Sequence, residues 1–201
     1  MKKIKWLFFD IGSTLVDESN AYRRRIERTV LNSDITINEF YSMYKKNMKD
    51  DNEIAKHFNL VLASWSYEDE ILYPNVEFCL QELSEKYKIG VIANQDFGTE
   101  QRLARLGIKK YISLIISSAE EGIEKPNLQL FQLALKRAKC KSYEAIMIGD
   151  RLDNDIFPAN KIGMKTIRVK QGYWSKFGPN SDKEKPDYEI NEIIELLRLL
   201  L

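Results

Sequence analysis

The stretch Lys5-Trp6-Leu7-Phe8-Phe9-Asp10-Ile11-Gly12-Ser13-Thr14-Leu15 decides the fold. Its run Lys5–Phe9 is apolar without alternation, the pattern of a strand buried on both faces. The run stops at an acid. A carboxylate at the end of a buried strand is expensive unless a cation or hydrogen-bond donors compensate it, so Asp10 is a candidate functional residue.

Outward from this strand, five further short apolar runs read the same way: Ile89–Ala93, Leu114–Ser117, Ala145–Ile148, Thr166–Val169 and Tyr188–Ile190. Helical patterns lie between most of them. Asn75–Tyr87 sets Val76, Leu80, Leu83 and Tyr87 on one face, with Pro74 just before it. Thr99–Leu106 runs into Gly107, Pro126–Lys139 opens on a proline, and Asp153–Ile162 runs into Gly163. Strand alternating with helix predicts an α/β fold, a Rossmann-like three-layer core around a parallel sheet. The alternation breaks once. Between the first strand and Pro74 no second strand is expected, only polar, Tyr-, Lys- and Arg-rich helical patterns from Ala21 to about Trp65, too long for a simple crossover. The expected division is a core of residues 1–17 and 74–201, with a small helical domain, 18–73, inserted after the first strand. Gly172–Pro186 reads as a surface loop.

Composition narrows the partners. The 201 residues carry 31 basic and 30 acidic side chains, a net charge of +1, which gives no electrostatic case for nucleic acid or an anionic membrane. No apolar stretch approaches the roughly 20 residues of a membrane span, and the N-terminal apolar run is short for a signal peptide. Cys79 and Cys140 lie far apart without metal-ligand spacing and read as reduced thiols of a cytoplasmic protein.

In open parallel sheets, ligands sit at the carboxyl ends of strands. The residues there are Asp10-Ile11-Gly12-Ser13-Thr14, then Asn94-Gln95-Asp96, then Glu124-Lys125-Pro126, then Gly149-Asp150-Arg151-Leu152-Asp153-Asn154-Asp155. Two carboxylates held close and ionised need a cation. Hard oxygen ligands with open positions suit magnesium, which is bound through one or two carboxylates plus water and substrate phosphate. Asp153 reads as a helix-start acid favoured by the dipole, and Arg151 as a salt-bridge or surface residue. The run Tyr22-Arg23-Arg24-Arg25 reads as a solvated helix face, and His57, the single histidine, falls in the insertion.

In these motifs the chain resembles the haloacid dehalogenase (HAD) superfamily over nearly its whole length. The family's D-x-D-x-T after an apolar strand stands here as Asp10-Ile11-Gly12-Ser13-Thr14. Its second motif stands as Ile92-Ala93-Asn94, its lysine as Lys125-Pro126, and its Gly-Asp motif as Gly149-Asp150 with Asp155. The insertion matches the family's C1 helical cap. The resemblance implies that Asp10 is a nucleophile forming an aspartyl-phosphate, and that Asp10, Asp150 and the Gly12 carbonyl hold Mg2+. It further implies that Lys125 neutralises Asp10 and the phosphoryl oxygens, that Asp155 completes the metal's outer shell, that Thr14 orders the loop near Asp10, and that Asn94 and Thr14 bind substrate. The implied partner is a small phosphorylated molecule.

Two departures stand out. The family's second aspartate, which protonates the leaving alcohol and later activates water, is Gly12, and the second-motif hydroxyl is replaced by Ala93. Loss of a general acid-base group costs about 10²–10⁴-fold in rate. Three readings follow: a hydrolase with reduced activity on simple alkyl phosphates, a binding or regulatory protein on an enzyme frame, and a carbon–halogen hydrolase. Dehalogenases of this family also lack the second aspartate, but they replace the Gly-Asp motif that Asp150 supplies here.

Overall fold

The computed structural model describes residues 4–46 and 51–201, so residues 47–50 of the expected insertion and 1–3 of the expected core lie outside the described residues. The chain divides into two compact units, Met1–Asp17 with Ile71–Leu201, and Glu18–Glu70.

In the first unit all six apolar runs are strands: β1 Trp6–Phe9, β4 Lys88–Ala93, β5 Ile112–Ser117, β6 Ala145–Gly149, β7 Lys165–Val169 and β8 Tyr188–Ile190. They pair in parallel in the order β5-β4-β1-β6-β7-β8, with β1 at the switch between β4 and β6. Alternation of side chains across the pleat sends Leu7, Phe9, Val91 and Ile148 to one face, against Val76, Leu80 and Leu83 of α4 (Val76–Ser84), Leu103 of α5 (Thr99–Arg105) and Leu196 of α9 (Glu195–Leu200). Phe8, Ile92, Ile116 and Met147 go to the other, against Leu130, Phe131 and Ala134 of α7 (Leu128–Ala138) and Ala159 of α8 (Phe157–Lys161). The unit is a three-layer α/β fold with a parallel sheet between helices.

Four local expectations are corrected. The stretch between the first strand and Pro74 is not devoid of strand: β2 (Val16–Asp17) and β3 (Ile71–Leu72) form a short antiparallel pair. Because Ile71 and Leu72 pair with residues that follow β1, the boundary of the inserted unit falls at Glu70 rather than residue 73. The helix expected from Pro126 starts at Leu128, because the Asn127 side chain accepts from the Gln129 N–H and caps it there. The helix expected from Asp153 opens instead as a wide π-helical turn, Leu152–Ile156, before α8.

The second unit contains α1 (Ser19–Val30), α2 (Ile37–Ser42) and α3 (Asp51–His57). Its own core gathers Ile26, Val30, Phe40, Met43, Ile54 and Ala55. A capping box starts α2, with the Thr36 hydroxyl accepting from Glu39 N and the Glu39 carboxylate from Thr36 N. The basic run is used locally: Arg23 pairs with Glu27, Arg24 with Asp69, and Arg25 donates to the Ala63 carbonyl and stacks on Trp65. His57 is exposed and meets Phe58 edge to face.

Candidate active site

The two central strands, β1 and β6, end side by side. The Asp10 N–H continues their ladder to the Ile148 carbonyl at 2.9 Å, so Asp10 leaves the sheet next to Gly149-Asp150. Beyond Asp10 the chain turns tightly. The N–H groups of Thr14, Leu15 and Val16 all point at the Ile11 carbonyl, and Ser13 takes a positive φ of 55°. The turn buries Thr14 completely and aims its hydroxyl at Asp150 Oδ1, a long contact of 3.5 Å.

Lys125 arrives from the segment before α7. The Asn94 side chain holds its backbone on both sides: Lys125 N donates to Asn94 Oδ1 at 2.7 Å, and Asn94 Nδ2 donates to the Lys125 carbonyl at 3.0 Å. Held in this way, the Lys125 ammonium lies 2.7 Å from Asp10 Oδ1 and 2.6 Å from Asp155 Oδ1, in a site where Lys125 is 4% exposed. Asp155 also accepts from the Arg151 N–H at 3.0 Å. It reaches that position because residue 149 is glycine: a Cβ there would stand 2.7 Å from the Asp155 Cβ.

Asp10, Asp150 and Asp155 each present an oxygen within 4.8 Å of the others. All three are buried, and a single ammonium, Lys125, lies among them. Burial pushes the Asp150 carboxyl well above the ordinary aspartate range, and the neighbouring charges of Asp155 and Asp10 add to the shift. Burial pushes Asp155 up as well, against the pull of Lys125. At Lys125 burial works against the charged form, but Asp10 and Asp155 outweigh it and hold the ammonium protonated. If all are ionised, these three acids and Lys125 together carry two net negative charges, which the Arg151 guanidinium offsets only from a distance. Asp150 Oδ2 is buried with no hydrogen-bond partner, at the point where such a deficit calls for a cation. A hard dication of the magnesium type fits this donor set.

The residues singled out from sequence thus meet in one place: Lys125 touches Asp10 and Asp155, Thr14 reaches Asp150, and the three carboxylates lie within 4.8 Å of one another. Asn94 stands one step back, with both ends of its carboxamide turned to the Lys125 backbone. Gly12 lies in the turn, in an extended bridge to Val16. Ala93 is wholly buried among apolar side chains and brings no polar group to the site. Arg151 forms a two-point ion pair with Asp153 and stacks 4.2 Å over the Trp174 ring. Sequence reasoning passed over Arg168, a wholly buried arginine in β7 that donates to the Asp150 carbonyl. A charged residue inside the apolar run Thr166–Val169 was the available signal.

Comparison with known proteins identifies the family of the chain. Residues 7–169 match the family model described as haloacid dehalogenase-like hydrolase. The chain is 33% identical to the glyceraldehyde 3-phosphate phosphatase of Methanopyrus kandleri, with 96% of each chain covered. It is 30% identical to the glyceraldehyde 3-phosphate phosphatase of Pyrococcus furiosus, over 100% of this chain and 94% of that one. The crystal structure of the HAD-hydrolase YfnB from Bacillus subtilis bound to magnesium shares the fold, with a TM-score of 0.76 at 20% identity and 99% of each chain covered.

Proposed function

Because the chain belongs to the haloacid dehalogenase-like hydrolase family, we propose that it is a magnesium-dependent phosphatase of small phosphorylated metabolites, slow on unactivated alkyl phosphates. The observation that carries this reading is the buried set of Asp10, Lys125, Asp150 and Asp155, with one ammonium and an unpartnered Asp150 oxygen. Asp10 Oδ2 attacks phosphorus, the bond to the leaving oxygen breaks, and the phosphoryl group passes to the Asp10 carboxylate. Water then cleaves the aspartyl-phosphate, releasing phosphate. Lys125 offsets charge on Asp10 and on the equatorial oxygens, the electrostatic work that dominates phosphoryl transfer. Asp10, Asp150 and the Gly12 carbonyl would hold magnesium, which supplies further charge for the phosphoryl oxygens when bound. Thr14 orients Asp150, Asn94 fixes Lys125, and Asp155 holds Lys125 from behind.

The inserted helical unit is taken as a C1-type cap that selects substrate, on the strength of its place in the chain between β2 and β3. Triose phosphates are the first substrates to test, because relatives similar over the whole chain are glyceraldehyde 3-phosphate phosphatases. A cytoplasmic setting belongs to the same reading: among the described residues no helix is long and apolar enough to cross a membrane, and both cysteines are free.

Gly12 sets the expected profile. With no carboxylate at this position, the leaving alkoxide receives no proton from the turn, and the hydrolytic water has no base there. Acyl phosphates, whose leaving group needs no acid, should turn over faster than alkyl phosphates. Gly12→Asp should then raise alkyl phosphate turnover by up to about 10²–10⁴-fold, with a smaller gain on acyl phosphates. The positive-φ glycines are Gly98, Gly107, Gly122, Gly163 and Gly172, so an aspartate at position 12 meets no left-handed backbone. Brisk wild-type hydrolysis of alkyl phosphates, with no gain in a folded Gly12→Asp protein, would show that another group supplies the proton. Failure to turn over any phosphorylated substrate, in either protein and with magnesium present, would instead favour the regulatory reading.

A further inference from the structure

We propose that Arg168 is a positioning residue for Asp150, fixing the direction of this carboxylate for metal binding; the inference rests on the magnesium reading above. Arg168 lies in β7, next to β6 in the sheet, and is 2% exposed. A buried guanidinium is costly unless its donors are all engaged. Here they are spread over three chain segments. Nε donates to the Asp150 carbonyl at 3.2 Å. Nη2 donates to the carbonyls of Trp174 at 2.9 Å and Phe177 at 2.8 Å, and Nη1 reaches Glu189 at 3.3 Å.

The contact with Asp150 acts on one peptide plane. The C=O of the Asp150–Arg151 peptide accepts from Arg168, and the N–H of the same peptide donates to Asp155 Oδ2 at 3.0 Å. A planar peptide held at both its C=O and its N–H resists rotation, which restrains ψ at Asp150 and so the seat of the Cα from which its side chain leaves. The segment that Arg168 holds on its other side adds to this. Trp174 stacks on Arg151, the residue next to Asp150, and a Cβ on Gly172 would stand 2.7 Å from the Ser13 Cβ in the nucleophile turn. One guanidinium therefore ties residues 172–177 to the loops bearing both proposed metal carboxylates. A planar fork can serve these diverging acceptors together, whereas an ammonium at the end of a flexible stem cannot hold the same geometry.

Supporting partners of metal ligands typically change metal affinity by 10- to 100-fold when lost, and a buried arginine that only held the fold together would not. The test is calorimetric titration of Mg2+ into folded protein, for wild type, Asp150→Asn, Arg168→Lys, Arg168→Gln and Glu189→Gln. Circular dichroism checks that each is folded. Magnesium binding by wild type and its loss in Asp150→Asn establish the metal reading. On that footing Arg168→Lys and Arg168→Gln should bind magnesium about 10- to 100-fold more weakly. Glu189→Gln keeps the carbonyl contacts and should bind as wild type does. In turnover, the Arg168 variants should need more magnesium for half-maximal rate while recovering most of kcat at saturation. If Arg168→Gln does not fold, Arg168→Lys decides, since it retains the charge. Wild-type affinity in a folded Arg168→Lys protein overturns this inference and leaves the metal reading intact. No magnesium binding by wild type overturns the metal reading itself.

Discussion

Removing the Lys125 ammonium tests the charge arrangement most directly. Lys125→Met keeps the length of the side chain and leaves Asp10 and Asp155, which the ammonium touches at 2.7 and 2.6 Å, without their shared counter-charge. Removing one partner from a buried pair costs about 3–5 kcal/mol, because the other charge stays buried and uncompensated. The loss should depend on pH with a definite sign. Burial already pushes the Asp155 carboxyl up, and without the pull of Lys125 it rises further, so the folded protein binds a proton that the unfolded chain has released. Below its folded pKa this group adds about 1.4 kcal/mol of stability per unit fall in pH, down to the unfolded value near 3.9. Urea denaturation should therefore show the largest deficit at pH 7, and at pH 5 a part of it should be recovered, because wild-type Asp155, pushed up to about 6, also gains protons there. Asp155→Asn in the Lys125→Met background removes one stranded charge and should restore part of the stability at pH 7, but no activity. Phosphatase rate should fall by about 10²–10³-fold in the single mutant, from loss of charge stabilisation at the phosphoryl group. A Lys125→Met protein within 1 kcal/mol of wild type at pH 7, with no dependence on pH, would refute the claim that this lysine compensates these acids.

Three further outcomes follow from the same structure. Asp150→Asn should abolish magnesium binding by calorimetry without lowering metal-free stability at pH 7, because burial already disfavours the charged form of this side chain. Gly149→Ala should destabilise by about 1–3 kcal/mol and depress activity, since the new Cβ displaces Asp155 and with it the seat of Lys125; thermal melting and steady-state rates check both halves. Thr36→Ala should cost the helical unit about 1 kcal/mol by removing one half of the α2 capping box, measured by denaturation followed by circular dichroism, with kcat unchanged.

The central strands were legible because they are buried on both faces and so appear as continuous apolar runs, as in Trp6–Phe9 and Ala145–Gly149; the edge strand Tyr188–Ile190 is exposed at its first two residues and left a weaker mark. The pair β2–β3 was not legible, because two residues per strand carry no periodicity and its partners stand more than fifty positions apart. The π-helical turn at Leu152–Ile156 was hidden for a related reason: one widened turn leaves no mark on a helical pattern of this length. At the site, strand-end position singled out Asp10, Lys125 and Asp150. What Asp155 does depends on a lysine thirty residues away, and only folding brings the two together. Asn94 is the same case, since its side chain closes on the Lys125 backbone and sequence spacing gave no sign of it. Arg168 was visible as a charge in an apolar strand, but its acceptors are main-chain carbonyls, which any residue could supply.

The two departures in the site differ in physical kind from what remains. Ala93 is wholly buried and apolar, so it strands no polar atom, and Gly12 is not among the glycines with positive φ. Neither change burdens the fold. The remaining set does burden it: three buried acids and a buried lysine are a costly way to fill a strand-end pocket, and apolar side chains of similar volume are often neutral or stabilising in such places. A frame used only for binding through its surface has no physical need of that cost. On the proposed function, the groups present are those that attack on phosphorus would use, and the groups absent are those that would handle protons on the leaving oxygen and the water. This division argues for a nucleophilic site intact in its first step, acting on substrates whose leaving oxygen departs without help.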